Sequence, residues 1–229
     1  MSDDLKRKAG TAAADMVKDG QVVGLGTGST AKWAIARLGE RMKTEGLSVT
    51  GVATSAMSER QAVELGIPLK DASEVEIIDI AIDGADEVDP SLNLIKGMGG
   101  ALYREKVVAS LAVEFVVVVD ESKMVKKLGT KSPLPVEVAR FGWKYALHQL
   151  RELCRGVKLK EEGGKPFVTD NGNFIAEMMF APDGINDPRE MDAEVVSTVG
   201  VLETGLFLGL ATKVLVAGSS GVREIRRKR

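Results

Sequence analysis

The chain has 229 residues, 44% hydrophobic and 28% charged, which is typical of a globular protein with one large domain or a core domain and a smaller one. Its net charge of -2 provides no global field that would attract nucleic acid or an anionic membrane, and the longest strongly apolar strand, Phe115–Val119, is too short to span a bilayer. The single cysteine, Cys154, excludes an intrachain disulfide, and the polar N-terminal segment lacks an apolar signal core, so we expect a cytoplasmic protein.

The first half of the chain alternates short apolar runs with helical patterns. Strands are predicted at Val22–Leu25, Leu47–Ala53, Ile77–Asp83 and Phe115–Asp120, and helices at Ala31–Met42, Met57–Leu65 and Leu102–Val113. Strands that alternate with helices at this spacing indicate βαβ units, and strands rich in Val and Ile suit a parallel sheet that is covered on both faces.

The pattern changes near residue 129. Helices are predicted at Gly142–Cys154 and Asp187–Val196, and the Asn171-Gly172 pair between the apolar runs Phe167-Val168 and Phe174-Ile175 predicts a β-hairpin. Lys213–Ala217 predicts a last strand that returns to the first sheet. The predicted fold is therefore α/β, with a parallel-sheet domain (residues 1–128 and 206–229) and a smaller α+β domain (residues 129–205) inserted before the last strand.

A glycine-rich turn, Gly24–Thr30, joins a predicted strand to a predicted helix. Glycines allow close approach of a ligand to the backbone, the helix N-terminus favours a phosphate, and Thr27, Ser29 and Thr30 add hydroxyl donors beside Gly28. Position 29 is not the third glycine of a dinucleotide fingerprint, and the Gly-Lys-Ser/Thr of a P-loop is absent, so a small phosphate ester is favoured over NAD or ATP. The alternative is a plain strand-to-helix turn with Ser29 as the N-cap.

Acidic residues follow the third predicted strand in the run Asp83-Gly84-Ala85-Asp86-Glu87. Because ligands of parallel sheets bind beyond the carboxyl ends of the strands, Asp83 and Asp86 can hydrogen-bond sugar hydroxyls or hold a divalent metal. Glu87 and Asp89 could join such a magnesium site, since magnesium prefers oxygen ligands. The alternative is a polar turn.

The third motif is the run from Lys96 to Lys106. Gly97, Gly99 and Gly100 let the backbone fold around a ligand, and Lys96 can neutralise a developing oxyanion. Glu105, early in the next predicted helix, can act as a general base if burial raises its pKa towards working pH. The alternative for Arg104-Glu105-Lys106 is a solvated helix face. Lys123, just after another predicted strand, is either a phosphate contact or a surface lysine. Together these motifs indicate an enzyme that acts on a sugar phosphate.

Three other features are interpreted without a role in chemistry. His148, the single histidine, flanks the apolar stripe of its predicted helix and is expected at the surface or its boundary, and Cys154 lies on that stripe and is expected in the core. The basic terminus Arg223–Arg229 is expected to be a solvated, fraying end, so no nucleic-acid or membrane partner is predicted.

The chain resembles the type A ribose-5-phosphate isomerase family. The resemblance covers Gly26–Thr30, Asp83–Glu87 and Lys96–Lys106, and continues through Ser122-Lys123, Leu134–Val138 and Thr169–Asn173, in the family's order along almost the whole chain. Met98, Gly100 and Tyr103 depart from the commoner bacterial form, which has Gly, Ala and Thr there. Met98 therefore cannot occupy a glycine-only backbone conformation.

The resemblance implies interconversion of ribose 5-phosphate and ribulose 5-phosphate in the non-oxidative pentose phosphate pathway, through an enediol and without a cofactor. It implies Glu105 as the base, with Lys96, Asp83 and Asp86 as further catalytic residues. The implied substrate-binding residues are Thr27, Gly28, Ser29, Thr30, Asp83, Gly84, Ala85, Asp86, Lys96, Gly97, Met98, Gly99 and Lys123. It also implies a Rossmann-like domain with a smaller α+β domain, assembled as homodimers or homotetramers.

Two other functions compete with this hypothesis. A non-catalytic sugar-phosphate sensor would carry a DNA-binding helix-turn-helix, for which the segment before the first predicted strand is too short, and it would have no reason to keep Lys96 and Glu105 together. An acyl-CoA transferase on a related fold would use a glutamate nucleophile, but such chains are usually longer, and Asp83 with Asp86 suits sugar hydroxyls better.

Overall fold

The computed structural model describes residues 3–227, which form two compact units. The first unit contains the chain up to Ala85, Arg104–Lys123 and the chain from Leu210, and the second contains Asp86–Tyr103 and Met124–Gly209. The α-helices are α1 (Asp3–Ala14), α2 (Ala31–Glu45), α3 (Ala56–Leu65), α4 (Leu102–Leu111), α5 (Trp143–Leu150) and α6 (Pro188–Val196). The strands are β1 (Val22–Leu25), β2 (Thr50–Ala53), β3 (Ile78–Asp83), β4 (Glu87–Val88), β5 (Leu94–Ile95), β6 (Ala112–Asp120), β7 (Leu134–Val138), β8 (Gly156–Leu159), β9 (Glu161–Glu162), β10 (Lys165–Pro166), β11 (Phe174–Met179), β12 (Val201–Thr204), β13 (Leu206–Phe207), β14 (Lys213–Gly218) and β15 (Gly221–Arg226).

The first unit is built on a six-stranded sheet of order β15-β14-β6-β3-β1-β2. All neighbours in this sheet are parallel except β15, which forms an antiparallel hairpin with β14. Aliphatic strand residues pack with α1 and α2 in one hydrophobic cluster that includes Leu25, Ile82, Val116 and Leu38. This is the predicted parallel-sheet α/β domain.

Glycine brings α4 close to this sheet. At Gly24 in β1, an added Cβ would lie 2.6 Å from Val108 Cγ1 of α4 and 2.7 Å from the Ala81 Cβ of β3. A side chain at this position would push the helix away, so Gly24 sets the depth at which α4 packs.

The second unit combines small antiparallel sheets with α5 and α6. Its four-stranded sheet has the order β12-β7-β11-β8, and a three-stranded sheet has the order β13-β5-β4. Leu134, Val136 and Val138 of β7 belong to a hydrophobic cluster that also includes Leu147 of α5. This antiparallel unit is the predicted α+β domain.

The observed unit boundaries differ from the predicted domain boundaries. Residues 86–103, 124–128 and 206–209 were assigned to the first domain but belong to the second unit. The reason is pairing: β4 bonds to β5, and β5 bonds to β13, rather than to the six-stranded sheet. Such two-residue strands leave no periodic pattern in the sequence.

Two local predictions were wrong. The predicted hairpin of Phe167-Val168 with Phe174-Ile175 does not form, because Phe167-Val168 is not a strand and β11 pairs with β7 and β8. Asn171-Gly172 lies instead in a turn in which the Thr169 N–H donates to the Asn173 carbonyl at 2.9 Å. The basic terminus does not simply fray, because Arg223–Arg226 pair with β14 as part of β15; Lys228 and Arg229 lie outside the described residues. Helix α1, in contrast, was not predicted.

Candidate functional site

Several predicted site residues of the first unit lie at the carboxyl edge of its parallel sheet. Strands β6, β3 and β1 are neighbours; β3 ends at Asp83, and Lys123 and Thr27 lie three and two residues beyond the ends of β6 and β1. In open α/β sheets this edge is where ligands bind. The fold therefore brings together three motifs that are far apart in the sequence.

The turns after β1 and β3 are joined through the Asp83 carboxylate. Its Oδ1 accepts hydrogen bonds from the Thr27 N–H at 3.0 Å and the Gly84 N–H at 2.7 Å, and Asp83 is only 3% exposed. Gly26 adds its N–H to the Ile82 carbonyl at 3.0 Å, and a Cβ at Gly26 would overlap the Asp83 carboxylate. Asp83 thus shapes the glycine-rich turn as well as facing the edge of the sheet.

The Thr27 hydroxyl is held by two residues that the sequence analysis did not select. It lies 2.7 Å from Thr54 Oγ1 and 2.7 Å from Ser55 Oγ, both buried, and Thr54 Oγ1 donates to the Leu25 carbonyl at 3.0 Å. Ser55 also caps α3 through the Ser58 N–H. The signal was present, because Thr54-Ser55 directly follows β2 as the Gly26–Thr30 turn follows β1.

The start of α2 has the features of an anion-binding turn. Gly28 has a φ of +105°, which only glycine adopts easily, and Ser29 is exposed. The N-cap is Thr30, which makes no side-chain cap hydrogen bond, so the alternative of Ser29 as an N-cap is wrong. Backbone N–H groups at an uncapped helix N-terminus are suited to a phosphate.

Glu105 lies in the first turn of α4 and is 4% exposed. It is one helical turn before Val108, which packs on Gly24, so the two side chains share the face of α4 that is turned to the sheet. Because α4 leads into β6, which is parallel to its neighbours, its N-terminus lies at the carboxyl edge of the sheet. This position rules out the alternative of a solvated helix face for Glu105.

Asp120 and Lys123 lie at the end of β6. Asp120 is 5% exposed, and its Oδ1 accepts the Ser122 N–H at 2.8 Å, which forms the short turn that carries Lys123. Lys123 is half-buried rather than fully exposed. Asp120 was not selected from the sequence, although it ends a buried strand as Asp83 does.

The second unit holds the predicted Lys96–Gly99 loop. Lys96 is 2% exposed; its N–H donates to the Gly205 carbonyl at 2.9 Å, and its Nζ lies 5.3 Å from the centroid of the Phe207 ring. The Asp86 Oδ2 accepts the Met98 N–H at 3.1 Å. Gly97 and Gly100 have positive φ values of +101° and +84°, but the φ of Met98 is not positive. This confirms the prediction that position 98 does not need a glycine.

Glu87 and Asp89 shape the backbone and do not form the suggested magnesium site. Glu87 is fully buried and accepts hydrogen bonds of 2.6 Å from the N–H groups of Gly129, Lys131 and Ser132. Asp89 closes its own turn by accepting the Ser91 and Asn93 N–H groups, each at 2.8 Å. Among residues 3–227, no group of three or more His, Cys, Asp or Glu side chains could hold a metal ion.

His148 lies at the surface as predicted, whereas Cys154 packs against the core of the second unit without being fully buried in it. His148 is exposed on α5, and Cys154 is partly buried, with its thiol near the Leu150 and Gly156 carbonyls at 3.3 and 3.1 Å. Burial raises the pKa of the Cys154 thiol. In the part of the chain that the structure describes, no helix is long and apolar enough to cross a membrane.

Comparison with known proteins decides the family. The model for ribose 5-phosphate isomerase A (phosphoriboisomerase A) matches residues 50–221. The chain belongs to the ribose 5-phosphate isomerase A family. It is 54% identical to a ribose-5-phosphate isomerase A of Gluconobacter oxydans over 96% of this chain and 95% of that one, and 47% identical to one of Synechococcus over 99% and 98%.

Solved structures of this family have the same fold along the whole chain. The ribose 5-phosphate isomerase A of Methanocaldococcus jannaschii is 43% identical, with a TM-score of 0.92 over 97% of this chain and 98% of that one. A D-ribose-5-phosphate isomerase in complex with phospho-erythronic acid is 40% identical, with a TM-score of 0.94 over 99% and 100%. The Rossmann-like sheet and the α+β unit are therefore the family's architecture.

Proposed function

We propose that this protein interconverts D-ribose 5-phosphate and D-ribulose 5-phosphate through an enediol intermediate, in the non-oxidative pentose phosphate pathway. The observation that carries the proposal is the Glu105 carboxyl, which is 4% exposed and lies at the ligand-binding edge of the parallel sheet in a chain of this family. A base in such a position can reach a bound substrate while most water is kept away from it.

The proposed reaction moves one proton between neighbouring carbons. Glu105 takes the proton from C2 of the open-chain aldose, the C2–H electron pair forms the C1–C2 double bond, and the C1 carbonyl oxygen becomes an oxyanion. Glu105 then returns a proton to C1 as the C2 oxygen becomes the ketone, so no external oxidant or reductant is needed. The proton that leaves the C2 hydroxyl and the one that the C1 oxygen gains pass through Asp83 or Asp86, which also help to open the sugar ring.

The oxyanion needs a donor, and this role is assigned to Lys96 with the N–H groups of its loop. The buried ammonium of Lys96 provides a positive charge in a site of low dielectric constant, where its effect on a developing charge is large. Within this loop, the Gly100 N–H donates to the Gly97 carbonyl at 2.9 Å. That bond involves neither the Gly97 N–H nor the Gly99 N–H, which are loop N–H groups assigned to the oxyanion.

The phosphate is assigned to the turn of Thr27, Gly28, Ser29 and Thr30 at the start of α2, with Lys123 as its counter-charge. The uncapped helix N-terminus and the positive φ of Gly28 support this assignment. Holding the unreactive phosphate supplies binding energy that can be used to orient the reacting carbons. We also propose that the protein works as a homodimer or homotetramer in the cytoplasm, which sedimentation of the purified protein and cell fractionation test.

The first experiment follows ribose 5-phosphate labelled with ¹³C at C1 by NMR, in EDTA and D₂O. Appearance of labelled ribulose 5-phosphate carrying deuterium at C1 supports both the isomerisation and a proton transfer that exchanges with solvent. An absence of conversion in EDTA that magnesium does not restore would overturn the proposal. In that case, ribose 5-phosphate binding without turnover would support the sensor alternative.

A further inference from the structure

Two residues of the second unit, Lys160 and Phe167, form a clamp on the loop that follows Lys96. The Lys160 Nζ donates a hydrogen bond to the Met98 carbonyl, and the same ammonium lies 4.8 Å from the centroid of the Phe167 ring. The Phe167 ring in turn lies against Gly100, where an added Cβ would overlap it. Lys160 and Phe167 thus contact both ends of the Met98–Gly100 segment.

The Met98 residue is held from both sides of its backbone. Its N–H donates to Asp86 Oδ2 at 3.1 Å, and its carbonyl accepts from Lys160. Since a peptide group is planar and trans, the carbonyl of Met98 and the N–H of Gly99 point in opposite directions. Fixing the carbonyl on Lys160 therefore also fixes the direction of the Gly99 N–H, and the lysine charge polarises that peptide so that the N–H is a stronger donor.

Lys160 and Phe167 are themselves fixed by backbone hydrogen bonds. Lys160 is tied to β11 by its own N–H on the Ile175 carbonyl at 2.8 Å, and the Phe167 N–H donates to the Lys160 carbonyl at 2.9 Å. Two residues beyond Phe167, Thr169 donates its hydroxyl to the fully buried Glu137 at 2.9 Å. These bonds hold the clamp residues in place, so we expect a substitution at Lys160 or Phe167 to change the orientation of the Met98–Gly100 segment.

We infer that Lys160 and Phe167 are positioning residues that orient the Met98–Gly99 peptide, so that the Gly99 N–H acts as a donor to the substrate oxygen on which charge develops. This inference rests on the proposed isomerisation. Lys160 acts through the peptide and is not assigned a contact with substrate.

The test compares Lys160→Met, which keeps most of the stem and removes the charge, with Lys160→Arg and with Lys165→Met. Lys165 is an exposed lysine of the neighbouring strand β10 and serves as the matched control. We expect Lys160→Met to lower kcat by about 10- to 100-fold with KM changed less than about threefold, because a small misplacement of an orienting group is costly. Lys160→Arg should restore kcat to within about threefold of the wild-type value, and Lys165→Met should match the wild type.

A second measurement follows the Gly99 amide by ¹⁵N NMR in the same variants. Lys160→Met should shift its resonance, while Lys165→Met should leave the resonance unchanged. If the wild-type protein is active and Lys160→Met is equally active, the inference is overturned and the proposed function stands. The same holds if the Gly99 amide resonance is unchanged in Lys160→Met. An inactive wild-type protein would overturn the proposed function, and with it the catalytic part of the inference.

Discussion

The backbone N–H of Thr27 donates to Asp83 Oδ1 over 3.0 Å, although the two residues are 56 positions apart in the chain. This bond couples the proposed phosphate turn to a proposed catalytic carboxylate. It also requires close approach of the two strand ends, which Gly26 permits because a Cβ there would overlap the carboxylate. The two motifs that stood out in the sequence are therefore one hydrogen-bonded structure.

Gly26→Ala tests this close approach. The added methyl group must displace Asp83 or the Ile82 carbonyl, so we expect a loss of about 1–3 kcal/mol in the free energy of unfolding together with a rise in KM. Urea denaturation and steady-state kinetics measure the two effects. The control is Gly156→Ala, because no atom lies within 4 Å of the Cβ that it would add. Equal unfolding free energies for the two variants would contradict the prediction.

Glu105→Gln tests the assignment of the base. Glutamine keeps the shape of the side chain but cannot take a proton, so kcat should fall by about 10²- to 10⁴-fold while KM changes little. The matched control is Glu64→Gln, which makes the same change at an exposed position of α3. Retention of more than about a tenth of the wild-type kcat by Glu105→Gln, with an unchanged Tm, would reject Glu105 as the base.

Lys123→Ala tests the counter-charge of the phosphate. If Lys123 holds the substrate equally well before and during reaction, KM should rise by about tenfold or more while kcat falls less than about threefold. Lys126, three residues along and exposed, provides the control Lys126→Ala. A KM equal to that of the control would remove Lys123 from the binding site, and a selective fall in kcat would assign it a different role.

Glu87→Gln tests the carboxylate that organises the 129–132 segment. Glutamine replaces one acceptor oxygen by an NH₂ group, so one of the three N–H groups bonded at 2.6 Å would meet a donor. We expect a loss of about 2–4 kcal/mol in the free energy of unfolding, since these bonds are charge-assisted and fully buried. Urea denaturation measures it, with exposed Glu76→Gln as the control. A midpoint shared by both variants would show that the carboxylate charge is unimportant here.

Local patterns were sufficient for most of the first unit. β1, predicted at Val22–Leu25, has the predicted bounds, and β3 and α3 differ from theirs by one residue, because buried aliphatic strands and helical periodicity are short-range signals. The Asn171-Gly172 hairpin failed because the partners of β11 are β7 and β8, which are distant in the sequence. The turn residues were recognised correctly, but a turn does not specify which strands pair.

The residues of the candidate site divide in the same way, into those that local sequence patterns reveal and those that only tertiary contacts reveal. Glu105, Lys96, Asp83 and the Gly26–Thr30 turn were selected because residue type and spacing carry chemical meaning at strand ends. Thr54 and Ser55 were missed because their importance comes from contact with Thr27 across the sheet. Glu87 was selected for the wrong reason, since only the folded chain brings the N–H groups of residues 129–132 to its carboxylate.

The sequence by itself determined the fold class and supplied the chemical groups of the proposed site, because periodicity, glycine and charge act through neighbours along the chain. Only the tertiary structure decided which unit residues 86–103 join, how deeply Glu105 is buried and that Lys160 and Phe167 hold the Met98–Gly100 loop. These features depend on contacts between residues tens of positions apart, and such contacts arise only when the chain excludes water and packs its interior.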